Sequence, residues 1–107
     1  VNDGIYFITF RSSLSEYGEA TIVVKDGVIN GGNYVCVYHG KVTGKIIELT
    51  IKRHDHESAH ALGYDEECKL ILVLRENNKD CFMLGSAINN SDKKIEASAK
   101  YIGDLLF

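Results

Sequence analysis

Apolar side chains recur at every second position through most of the chain, and short clusters of Gly, Asn, Asp and Ser interrupt them. That pattern belongs to antiparallel strands joined by tight turns. It predicts strands at 4–10, 17–25, 27–30, 33–40, 45–53, 68–75, 80–88 and 94–102. Eight strands suffice for a closed barrel, so the expected fold class is an all-β, eight-stranded antiparallel up-and-down barrel with little helix, as a single domain over residues 1–107. Asp26-Gly27 is the strongest turn signal, because both central residues of a two-residue hairpin loop of this kind take positive φ. Gly31-Gly32-Asn33, Asn77-Asn78-Lys79-Asp80 and Asn89-Asn90-Ser91-Asp92 act in the same way. No long window carries a helical period, and only Glu57 to Leu62 is compatible with a single helical turn.

Several strands keep neither face polar. Ile71 and Val73 oppose Leu70, Leu72 and Leu74, and Phe82 and Leu84 oppose Cys81 and Met83. The inner face of a barrel fills its core, so apolar residues on the outer face imply a second contact surface. The expectation is a homodimer through Ile71, Val73, Phe82 and Leu84. The tail Leu105-Leu106-Phe107 is the other candidate to cover this face.

A net charge of −3 and a pI near 5.8 provide no broad positive field, which is the source of most of the affinity for phosphate backbones. Direct nucleic-acid binding is not expected. No stretch approaches the roughly eighteen uninterrupted apolar residues of a membrane span, and no charged-then-apolar leader precedes Asp3-Gly4, so the expectation is a cytoplasmic protein with no membrane attachment. Cys36, Cys68 and Cys81 are odd in number and lie in apolar segments, where a thiol behaves as a small hydrophobe. They read as free buried thiols.

Candidate chemistry is sparse. His54, Asp55, His56, Glu57 and His60 are the first place to look for a metal, but no cysteine is near in sequence and the segment reads as a solvated polar loop. Ser12, Ser13 and Ser15 lack the strand-turn-helix context and the flanking glycines of a nucleophile elbow. Asp65, Glu66 and Glu67 read as surface charge, and the glycines at 27, 31, 32, 40 and 44 as turn residues, since no phosphate-loop lysine follows them. No catalytic residue, metal or cofactor is assigned. The strand aromatics leave two outcomes open, a filled interior or a pocket for a small apolar ligand lined by Ile5, Phe7, Tyr34, Tyr38 and Tyr101.

The order of short motifs adds a resemblance. Asp3-Gly4-Ile5-Tyr6 leading into Phe10, then Gly18-Glu19-Ala20, Asp26-Gly27, Gly31-Gly32-Asn33, Tyr38-His39-Gly40 and Arg53-His54 together resemble the family of negative regulators of type III secretion. That family is typified by the repressor member of the regulator pair of the enterocyte-effacement locus. The resemblance implies a lipocalin-like barrel, dimeric, with an apolar interior, which captures a helix-turn-helix transcriptional activator and performs no catalysis. The typical repressor carries an acidic tetrad in the loop between the strands that correspond to 33–40 and 45–53. This chain has Lys41, Val42, Thr43, Gly44 and Lys45 there, lysines that would repel a basic partner. Lys41, Thr43 and Lys45 are therefore the candidate partner-binding loop, with a different partner chemistry implied. A carrier of a small apolar or lipid ligand is the alternative function.

Overall fold

Alternation of inward and outward side chains dictates the architecture. The computed structural model describes residues 1–12, 17–55, 67–88 and 90–106, and the described residues form eight strands and no helix: β1 (Gly4–Ser12), β2 (Tyr17–Lys25), β3 (Val28–Gly32), β4 (Cys36–Thr43), β5 (Ile46–Arg53), β6 (Glu67–Asn77), β7 (Asp80–Ala87) and β8 (Asn90–Gly103). Each strand pairs antiparallel with the next, and β8 pairs with β1, so the sheet closes into an up-and-down barrel. Among the described residues no helix is long and apolar enough to cross a membrane. The segment Glu57 to Leu62 lies outside the described residues, as do Ser13, Ser15, His56, His60, Asp65 and Glu66.

The turns follow from local chemistry. Asp26 and Gly27 take φ of 53° and 76° between the paired residues Lys25 and Val28, the two-residue loop whose twist matches that of its strands. Most predicted boundaries move by a residue or more, and among the strand starts those of β4 and β8 move furthest. β4 begins at Cys36 rather than 33, because the Asn33 side chain folds the chain back on itself: its Oδ1 accepts from the backbone N–H groups of Val35 and Cys36, both at 2.8 Å. A local bond of this kind offers the backbone an alternative to the ladder. β8 begins at Asn90, inside the predicted turn cluster, and a register shift at Ser86/Ala87 accommodates its early start.

Inside, bulky and small residues alternate across the wall. On β1, Ile8 lies between Ala20 and Ala99, and Phe10 between Gly18 and Ala97. The small neighbours leave room for the Phe10 ring to stack on Tyr38, with centroids 5.4 Å apart and planes within 10°. Tyr6 meets Tyr101 edge to face at 5.5 Å. Leu70, Leu72 and Leu74 of β6, Ile47, Leu49 and Ile51 of β5, and Ile95 of β8 complete the core. Gly85 is required where β7 crosses β6 closely: a Cβ there would overlap the carbonyl of Ile71.

Candidate interaction surface

Three sites raised by the sequence can be placed. The interior comes first, since a ligand pocket would have to be there. Tyr38 points inward and is buried, and Tyr101 is partly buried, packed against the core. Ile5 and Phe7 do not line the interior: they sit on the outer parity of β1, while Tyr6, Ile8 and Phe10 point in. Gly4-Ile5-Tyr6-Phe7-Ile8-Thr9-Phe10 is apolar on both faces, so alternation alone does not fix which face is inner, and a one-residue shift exchanges the two sets. Tyr34 is also corrected. It belongs to the turn led by Asn33, not to a strand, and stands 94% exposed.

What remains inside is nearly full. The cavity bounded by Tyr6, Ile8, Phe10, Leu49 and Met83 measures about 20 Å³, against the roughly 300–1,000 Å³ of a small-molecule site. The hydroxyls of the two buried tyrosines have partners. The Tyr6 hydroxyl donates to the Asn2 carbonyl at 2.6 Å, and the Asn33 Nδ2 group donates to the Tyr38 hydroxyl at 3.0 Å and the Glu19 carbonyl at 2.6 Å. Burial pushes the Tyr6 phenol up to about 12 and raises Tyr38 further.

Cys36, Cys68 and Cys81 are buried and form no disulfide among the described residues. Burial pushes the Cys36 thiol up to about 11 despite the nearby Arg53 guanidinium, and burial, with Glu76 next, raises Cys81 as well. Cys36 and Cys81 are thiols, not poised thiolates. His54 has a structural bond, its Nε2 lying 2.8 Å from the Asn33 carbonyl. Arg53 Nε and Nη2 donate to the Asp55 carbonyl at 3.2 and 3.1 Å. Among the described residues no three His, Cys, Asp or Glu side chains are grouped to hold a metal ion.

The segment from Lys41 to Lys45 is not a loop. Lys41 and Thr43 belong to β4, where Lys41 pairs across the sheet with Glu48, and only Gly44 and Lys45 form the turn. The Gly44 φ of 61° permits that tightness, and the Lys45 carbonyl accepts the Leu74 N–H at 2.7 Å. A lysine facing a glutamate on its own sheet presents a weaker positive field than an uncompensated one, so the feature is smaller than its composition implies.

The outer wall is where unexplained apolar surface collects. Ile71, Val73, Phe82 and Leu84 all point outward and are 41, 49, 40 and 42% exposed. Sequence reading missed Ile46, which is 40% exposed and pairs with Val73, which in turn pairs with Leu84. The available signal was the doubled Ile46-Ile47: in a strand one of two adjacent isoleucines must face out. Ile71 is one step along β6 from Val73 on the same face, and Phe82 one step along β7 from Leu84, so the five make one continuous patch. The tail does not lie over them, since Leu106 is itself 87% exposed; Phe107 is outside the described residues.

Compared with known proteins, the chain matches no family model and no curated sequence.

Proposed function

We propose that this barrel is a non-catalytic binding protein of the cytoplasm that works with its outer wall. It joins a second copy through Ile46, Ile71, Val73, Phe82 and Leu84 and sequesters a protein partner, in the manner of the type III secretion negative regulators that its motifs resemble. The observation that carries this reading is the contrast between an interior with about 20 Å³ to spare and an exterior patch of five large apolar side chains, each at least 40% exposed. Contiguous apolar surface of this kind marks association sites. The partner class implied by the resemblance is a helix-turn-helix transcriptional activator. With lysines in place of an acidic tetrad, the surface it recognises differs from that of the typical repressor.

The carrier alternative is not favoured, because a guest of lipid size would have to displace the core. The decisive experiment is affinity capture with the purified barrel, with native mass spectrometry of the same sample. Recovery of a helix-turn-helix activator by the barrel, at the mass of a dimer with no passenger, supports the reading. A stoichiometric small molecule retained in the native spectrum, with no protein partner, would overturn it.

A further inference from the structure

We infer that two copies join face to face about a twofold axis that runs along the strands, between β6 and β7. This rests on the reading above that the outer apolar wall joins copies, and it adds which residues meet.

The argument starts from register. Pairing across four strands sets the outward residues in rows. One row is Glu48, Ile71, Ser86 and Lys94; the next is Ile46, Val73, Leu84 and Glu96; the third holds Arg75, Phe82 and Ser98. Val73 and Leu84 stand at the centre of this array with Ile71 and Phe82 beside them, and Ile46 and the charged Glu48, Lys94, Glu96 and Arg75 stand around them, so a facing copy meets both. A twofold contact is self-complementary: if one residue touches another, the reverse contact is also made. Only two orientations keep the strands of the two walls aligned, and they pair different residues.

With the axis along the strands, each row lies on itself in reverse. Glu48 then lies toward the second copy's Lys94, and Lys94 toward its Glu48. Val73 meets Leu84 twice, and Arg75 lies over the Phe82 ring twice, a favourable seat for a guanidinium. Ile71 covers Ser86, and only Ile46 against Glu96 is unmatched. With the axis across the strands, each row keeps its order. Glu96 then faces the second copy's Glu96, Ile71 faces Arg75, and the second copy brings no opposite charge toward Glu48 or Lys94. Like charges brought together across an interface oppose association, and opposite ones select a register. The charge pattern therefore chooses the first orientation.

The two orientations differ in one measurable way. In the first, a residue of β7 such as Ser86 lies near its own symmetry mate, displaced by about one strand spacing of 4.8 Å; in the second, the same two are displaced by two steps along the strand, about 13 Å. A Ser86→Cys variant treated with a short bismaleimide should cross-link to itself in high yield, while the three native cysteines stay unreactive because they are buried. Glu48→Lys and Lys94→Glu should each weaken the dimer about threefold to tenfold, since symmetry counts each exposed pair twice, and the double variant should recover the original affinity. Cross-linking of Ser86→Cys mainly to a Phe82→Cys partner, with little to itself, would overturn the assigned axis. So would a double charge swap weaker than both single variants. Sedimentation of the unsubstituted protein as a monomer at its highest soluble concentration would instead overturn the dimer reading on which the axis rests.

Discussion

The two faces of β6 are built from almost the same side chains and meet different surroundings. Leu70 and Leu72 are 0% exposed, held in the core between their ladder neighbours on β5 and β7. Ile71 and Val73, one residue away on the same backbone, stand at 41 and 49%. Burial of a large aliphatic side chain is worth roughly 1.5–3 kcal/mol relative to exposure, so the inner pair already contributes what it can to folding, and the outer pair still has much of that contribution available. Hydrophobicity identifies neither role. Which side of the ladder a residue stands on decides it.

Substitution can separate these roles. Leu72→Ala should have the largest effect, a loss of about 2–5 kcal/mol of stability from the lost contacts and the cavity it leaves in a packed interior, read by urea unfolding. Gly85→Val comes next, at about 1–3 kcal/mol, because its side chain would meet the Ile71 carbonyl. Val73→Asp should move the protein from dimer to monomer in sedimentation while the unfolding midpoint of the monomer, measured at low concentration, shifts by no more than about 0.5 kcal/mol, the usual range for surface substitutions. A dimer that survives Val73→Asp would break the comparison, since the outer face would then have no role in association.

A smaller effect is expected from alkali. The Tyr6 phenol is raised from its ordinary value of 10 to about 12 by burial, so the fold prefers its protonated form. The stability this provides is complete below pH 10 and falls as pH rises toward 12. Thermal unfolding followed by circular dichroism should show the melting temperature dropping over that interval, and Tyr6→Phe should flatten the drop. An equally steep decline in the variant would assign the effect to Tyr38, which burial also raises.

The barrel itself was legible from alternation and turn chemistry, because eight apolar runs punctuated by sequences such as Asp26-Gly27 and Asn77-Asn78-Lys79-Asp80 admit few other arrangements. The outward placement of Ile71, Val73, Phe82 and Leu84 was legible too, since Leu70, Leu72, Leu74, Cys81 and Met83 formed the alternative inner set. Frame failed on β1, where both faces are apolar and nothing in Ile5-Tyr6-Phe7 says which ring points in. Tyr34 failed for a different reason: the Asn33 side chain competes with the ladder for backbone N–H groups, and that competition is settled by three-dimensional geometry. The cavity volume was not legible at all, because it depends on how Ala20, Ala97, Ala99 and Gly18 are distributed around Phe10 and Ile8, which only the register fixes.

Closure of β8 onto β1 has a consequence for how such a protein changes over time. A sheet without a free edge offers its neighbours no row of unpaired backbone groups, so strand addition is barred and recognition falls to side chains. Outward side chains of a barrel can be exchanged singly with little disturbance of the inward ones. A change of companion can therefore be written on the outside of such a wall while the scaffold beneath it stays as it was.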